Sequence, residues 1–259
     1  MDRTVLKRYR TVQSGNEEMM MASQADESPL AARGLIVRIG PGNRNGGTAQ
    51  PAAEEAWTRT RTAIAEAATT LFLQHGYQDT STGQIARTAS VSKQTIYNHF
   101  GGKEALFREI ILGVTATAER FAEQLPATFA EITTPRDVSP ALLALAHRYL
   151  VAVTDPLLLA LRRLVLGEAH QFPDLARDYY DRAPALTLRA LAAGFADLDQ
   201  RGVLRVPDAD IAADHFASLV VGRALDRGMF TIEASGLSDE QRDRISTHAV
   251  DAFLAKYSD

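Results

Sequence analysis

The sequence predicts an all-α fold, on three observations. Apolar residues recur at three- and four-residue spacing from Trp57 almost to the C-terminus. No stretch of strand length alternates apolar with polar residues, and no internal repeat is present. The breaks between periodic segments fall at Gly, or at a capping residue followed by Pro, which are stops and starts of helices.

Residues 1–53 precede this pattern and carry no period. Gly40, Gly42, Gly46, Gly47, Pro41, Pro51, Asn43 and Asn45 crowd one stretch, which reads as a flexible extension. Met19, Met20 and Met21, behind Glu17 and Glu18, offer an alternative start to translation. A first helix begins at Trp57. It places Ile64, Ala67, Ala68, Leu71, Phe72 and His75 on one face, with Arg61, Glu66 and Gln74 elsewhere, and stops at Gly76. Thr80, Ser81 or Thr82 caps a short second helix that turns Ile85, Ala86 and Ala89 inward. Ser90 and Val91 form a turn, and Ser92 caps a third helix from Lys93 to Phe100, with Ile96 and Phe100 on its buried side. Gly101 and Gly102 end it. From Lys103 a long helix carries Leu106, Phe107, Ile110, Ile111 and Val114 and is expected to end before Pro126.

Ser139-Pro140 and Asp155-Pro156 each set a capping residue before proline at a first helical position, so two further helices are expected there. Another opens at Pro173 and Asp174, carries Leu175, Tyr179, Leu186, Leu191, Phe195 and Leu198, and breaks or bends near Pro184 before Gly202. Two last helices span about Asp208–Phe230 and Ser238–Tyr257, separated by Gly236.

Composition excludes several chemistries. The 259 residues include no cysteine, so disulfides, thiolate zinc sites and cysteine nucleophiles are absent. No segment approaches the ~18 to 20 apolar residues that span a bilayer, and no secretory signal core is visible, so a cytoplasmic protein without membrane contact is expected. The histidines are dispersed without a four-residue ligand pair, so no metal and no cofactor are expected. No Gly-x-Ser-x-Gly elbow presents a serine nucleophile, and catalysis is not expected. Asp208, Asp210, Asp214 and His215 cluster at a helix start, where the positive end of the helix explains the acids. The net charge is −4, yet residues 58–103 hold five basic against two acidic groups, while 104–259 hold 16 against 23. A polyanion would be met by the first part alone.

Two short helices joined by Ala89, Ser90 and Val91 have helix-turn-helix spacing. Lys93, Gln94 and Thr95 lie in the first turn of the second one, where side chains reach base edges, and Lys and Gln carry the donors that guanine and adenine accept. Thr82, Ser92, Tyr97, His99 and Lys103 flank it with groups suited to phosphate oxygens. For Tyr97 and His99 the rival reading is packing inside the domain.

The run Gly76-Tyr77, Thr80-Ser81-Thr82, Ile85-Ala86, Val91-Ser92, Thr95-Ile96-Tyr97, His99-Phe100 and Lys103-Glu104-Ala105-Leu106 resembles the N-terminal DNA-binding domain of TetR-family transcriptional regulators. Ser90, where that family often has Gly, and Gly83, inside a short helix, are departures that loosen the expected domain. Beyond the extension at 1–53, the resemblance implies a helix-turn-helix domain at 54–103 and a ligand-binding and dimerisation domain at 104–259. A fainter likeness to the AefR-like subgroup lies around Arg162-Arg163-Leu164-Val165 and Phe172-Pro173-Asp174-Leu175. It further implies a homodimer, a double-stranded DNA operator and a small-molecule effector that releases it; the residues lining the effector site are not identified. Apolar stripes on the last two helices, with Phe216, Leu219, Val220 and Arg223 on one and Ile245, Ala249, Phe253 and Tyr257 on the other, are the expected dimer surface, with monomer core as the rival. An all-α enzyme or small-molecule carrier without specific DNA binding stays open at this point.

Overall fold

The computed structural model describes residues 51–231 and 237–258; the extension up to residue 50 and Gly236 lie outside the described residues. The described residues form helices and no strand: α1 Pro51–His75, α2 Thr82–Thr88, α3 Lys93–Phe100, α4 Lys103–Ala130, α5 Pro135–Val153, α6 Pro156–Gly167, α7 Pro173–Arg182, α8 Pro184–Gln200, α9 Ala209–Phe230 and α10 Asp239–Tyr257.

Most boundaries fall where capping chemistry puts them. Gly76 (φ +78°) stops α1, and Asp155 starts α6 by accepting from the N–H groups of Leu157 and Leu158, both at 2.9 Å. Asp208 and Ser238 cap α9 and α10 in the same way. The expected break at Pro184 is present: Ala183 leaves helical geometry (φ −120°, ψ −79°) and separates α7 from α8.

Three expectations need correction. Helix α1 begins at Pro51 rather than Trp57. Helix α4 continues through Pro126 to Ala130. A mid-helix proline costs about 3 kcal/mol, but Leu125 and Phe129 on either side of it are fully buried, and each such side chain stabilises by roughly 1.5–3 kcal/mol. Burial wins, and the helix runs on. Helix α5 starts not at Pro140 but at Pro135, where the Asp137 carboxylate accepts from the Thr134 N–H at 2.8 Å. Pro140 then sits early inside the helix, and Ser139 caps nothing.

Helices α2 and α3 pack with α1 and the start of α4, while α4, α5, α8, α9 and α10 enclose a separate core. That core centres on Phe195, whose ring meets Phe129 at 5.3 Å, Phe216 at 5.6 Å and Phe253 at 4.8 Å. Gly194 makes the α4–α8 approach possible, since a Cβ there would fall 2.2 Å from the Phe129 ring. Among the described residues no helix is long and apolar enough to cross a membrane.

Candidate nucleic-acid interface

The turn between α2 and α3 explains why these two helices meet as they do. Ser81 is the cap of α2: its hydroxyl accepts from the Gln84 N–H while Gln84 Oε1 accepts from the Ser81 N–H at 2.7 Å. At the other end the Val91 N–H donates to the Ala86 carbonyl (2.9 Å) and the Ser90 N–H to that of Arg87 (3.2 Å). These two bonds are the Schellman closure, which demands a left-handed residue between them. Ser90 supplies it at φ +54°, so the departure from Gly lies at the position where Gly is favoured.

Helix α3 is held by Ile96 and Phe100, both buried, and capped by Ser92, whose Oγ accepts from the Thr95 N–H at 3.0 Å. The two hydroxyls of Ser92 and Thr95 lie 2.8 Å apart. Lys93, Gln94, Tyr97 and Asn98 are exposed, with Gln94 donating to the Asn98 side chain at 3.0 Å. Tyr97 is 51% exposed. Gly83 has a packing reason: a Cβ there would approach the Lys93 Cε at 3.0 Å, so the missing side chain on α2 is the space along which the Lys93 stem lies. Thr82, the first residue of α2, is half-buried beside it.

His99 is engaged within the chain, which favours the packing reading for much of its side chain, and Lys103 is engaged as well. The His99 ring stacks on Trp57 with centroids 3.6 Å apart, and His99 is half-buried. The Lys103 ammonium donates to the Tyr77 carbonyl at 2.9 Å and stands over the Tyr77 ring at 4.1 Å. Burial lowers the Lys103 pKa, with Glu168 and Asp79 acting in the other direction. Burial likewise raises that of Tyr77.

Arg61 was not expected here. It is only 3% exposed, its guanidinium donates to the His99 carbonyl and to Glu109, and it lies 4.2 Å from the centre of the Phe100 ring. One side chain thus ties α1, the last turn of α3 and α4 together, with a cation where a helix end exposes its carbonyls. The expected face of α1 is corrected here: Arg61 shares one buried stripe with Ile64, Ala68 and Phe72, at helical spacing that was legible in the sequence, whereas His75, expected on that face, is exposed.

Behind this head, α4 to α9 line a partly open cavity of about 360 Å³, walled mainly by apolar and aromatic side chains with Arg162 among them and with the exposed Leu166 and Tyr180 at its edge. The segment after α6 connects the two regions. Phe172 meets the Tyr77 ring at 4.9 Å and the Phe107 ring at 5.6 Å, and Gln78 donates to Glu168 at 3.1 Å. Among the described residues no group of His, Asp and Glu is arranged to hold a metal ion.

The stripes expected to meet a partner divide in two. Phe216, Val220, Ala249 and Phe253 are at most 4% exposed within one chain, as is Tyr257, so their apolar area is spent on the monomer core. Leu219 (44% exposed), Arg223 and Ile245 line a groove of about 500 Å³ between α9 and α10, floored by Val220 and Ala249. Periodicity could not separate these, because α9 is apolar over more than half its circumference.

Comparison with known proteins agrees with this arrangement. Residues 64–110 match the family described as "Bacterial regulatory proteins, tetR family", and residues 140–259 match "AefR-like transcriptional repressor, C-terminal domain". A solved TetR-family regulator from Mesorhizobium loti is 32% identical, covers 78% of this chain and 98% of its own, and superposes with a TM-score of 0.69. The flavonoid-responsive regulator FrrA is 31% identical with the same coverage and a TM-score of 0.60. The uncharacterised HTH-type regulator YhgD of Bacillus subtilis is 41% identical over 61 residues, 24% of this chain. UidR of Escherichia coli is 42% identical over 53 residues, 20% of this chain. These last two matches span about a third or less of the relatives' length.

Proposed function

The chain belongs to the TetR family of bacterial transcriptional regulators, and from that premise we propose that it is a homodimeric repressor that a small molecule releases from its operator. The carrying observation is the outward face of α3, where Lys93, Gln94 and Tyr97 are exposed while Ile96 and Phe100 anchor the helix beneath them. Residues 54–103 form the DNA-binding head and 104–259 the sensing and dimerising body. Lys93 and Gln94 enter the major groove and select bases. Thr82, Ser92, Thr95, Tyr97, His99 and Lys103 border the groove and hold phosphates, His99 and Lys103 with the parts that packing leaves outside. Leu219, Arg223 and Ile245 meet the symmetry mate. The cavity supports an effector, as does the printed description of FrrA as flavonoid-responsive. A repressor acts where DNA is, in the cytoplasm.

Selection of bound fragments from random duplex DNA, followed by gel shifts at a fixed salt concentration, tests the reading. Lys93→Ala or Gln94→Ala relaxes preference at particular base pairs, by about 1–3 kcal/mol for a lost bidentate contact. Lys103→Ala weakens all duplexes alike and makes the salt slope shallower by about one unit. An unchanged preference in both α3 variants removes α3 from the groove, and the absence of any selected duplex returns the chain to the carrier or enzyme class.

A further inference from the structure

The cavity between α4 and α9 has a charge pattern that restricts its occupant, an inference that rests on the effector-binding reading above. Arg162 is the one side chain on its wall charged at neutral pH; no carboxylate, lysine or histidine joins it. Among the described residues no carboxylate lies within ion-pair distance of Arg162. Its Nε donates to the Tyr179 hydroxyl at 3.5 Å, a long bond that occupies one of five donors. Tyr149 lines the same cavity, and burial pushes its pKa up to about 12, with Arg162 acting in the other direction, so its hydroxyl is a donor at neutral pH. The rings of Phe121 and Tyr149 lie 5.4 Å apart at 21°, forming a nearly parallel apolar wall. Thr117 adds a buried hydroxyl with no hydrogen-bond partner among the described residues.

Each alternative occupant meets a specific cost. A cation would face Arg162 with nothing to neutralise it, and a neutral apolar molecule would cover the half-buried guanidinium without pairing its remaining donors. A dianion would leave its second charge without a partner. A sugar-like molecule would lay most of its hydroxyls against apolar wall. One carboxylate, by contrast, matches the guanidinium fork and can accept from a tyrosine hydroxyl as well. The volume of about 360 Å³ sits at the small end of ligand pockets.

We propose that the cavity binds a flat, apolar molecule with a single acidic group, an aryl carboxylate in its simplest form, the carboxylate on Arg162 and the Tyr149 hydroxyl and the ring system against Phe121. Calorimetry on the full chain with naphthalene-2-carboxylate, its methyl ester and 2-naphthylmethylammonium tests it. The carboxylate binds about ten-fold or more tightly than either analogue. Arg162→Gln reduces that preference to about two-fold or less, and Arg162→Lys restores part of it. Equal binding of the ester or the ammonium ion overturns the proposal, as does a carboxylate that fails to bind at millimolar concentration. A preference retained in a folded Arg162→Gln variant overturns it too. Should that variant not fold, the ranking of the three probes on the unaltered chain decides. Operator gel shifts with the same probes separate the two readings. A carboxylate that binds through Arg162 but leaves the operator bound sustains the ligand class and removes effector release; release by the ester alone does the reverse.

Discussion

Ser90 concentrates the strain of the head in one residue. Its left-handed backbone costs a non-glycine residue roughly 1–2 kcal/mol, and the two turn bonds around it hold it there. Ser90→Gly relieves that cost but frees the unfolded chain by roughly 0.5–1 kcal/mol. The expected net gain of about 0.5–1 kcal/mol raises the melting midpoint by about 1–4 °C, read in a thermal scan; a lower midpoint would show that the turn does not strain the serine. Arg61 carries the opposite kind of burden. Arg61→Met keeps the volume but strips the His99 carbonyl and Glu109 of their shared cation, at a cost of about 2–4 kcal/mol. Because Trp57 is the sole tryptophan and stacks on His99, its fluorescence reports whether the end of α3 has moved. Unchanged emission together with unchanged stability would contradict this role. Tyr149 supplies a pH test: its phenol titrates at about 12 in the fold against 10.0 when free, so the neutral form stabilises fully below pH 10, and this contribution is lost as pH rises toward 12. Comparing denaturation of Tyr149→Phe with the unaltered chain isolates that loss, on the order of 2–3 kcal/mol.

At the scale of elements, what could be read in advance was local chemistry, and what could not was decided by neighbours remote in sequence. The caps at Ser92 and Asp155 and the break at Pro184 are fixed by residues within four positions, and each stands where periodicity and cap preference put it. Pro126 and Pro140 look locally like helix boundaries, yet both lie inside helices, because Leu125 and Phe129 are drawn into the core around Phe195 and Asp137 starts α5 early. The same limit applied to the candidate DNA-binding face: exposure of Lys93, Gln94 and Tyr97 followed from the burial of Ile96 and Phe100, whereas the Trp57–His99 stack and the Lys103–Tyr77 bond join residues 26 or more apart. If tertiary burial overrides the proline in α4, removing the proline should help. Pro126→Ala restores a backbone donor and removes a ring clash, while losing the proline's restraint on the unfolded chain, for an expected gain of about 1–2 kcal/mol in urea denaturation. A loss of stability would mean that α4 depends on the proline for its course.

For the whole molecule, the proposed dimerisation and release would depend on surfaces that lie far apart along the chain. Leu219→Asp puts a charge into the proposed partner-facing groove without disturbing Phe216 or Phe253 beneath it, so sedimentation should shift toward monomer while the monomer fold survives. A tight dimer in this variant would place the interface elsewhere. The release proposed above would require a connection between the cavity and α3, and the segment between α6 and α7 touches both regions. Arg162 and Leu166 on α6 and Tyr179 and Tyr180 on α7 wall the cavity; between them Phe172 packs on Tyr77 and Phe107, and Tyr77 receives the Lys103 ammonium at the base of the head. On this proposal an occupant that shifts α6 against α7 would displace Phe172, and with it the Tyr77 and Phe107 rings of the loop after α1 and of α4. Coupling of this kind is a free energy shared by both ligands, so a change in operator affinity caused by the effector must equal the change in effector affinity caused by the operator. Phe172→Ala leaves the cavity wall and the outer face of α3 untouched but removes the ring between them. Its expected result is naphthalene-2-carboxylate affinity within about three-fold of the unaltered chain, and operator affinity that no longer responds to that ligand. Calorimetry with and without operator measures both halves of the cycle. A variant that still releases its operator in full would show that the signal reaches the head through α4 alone.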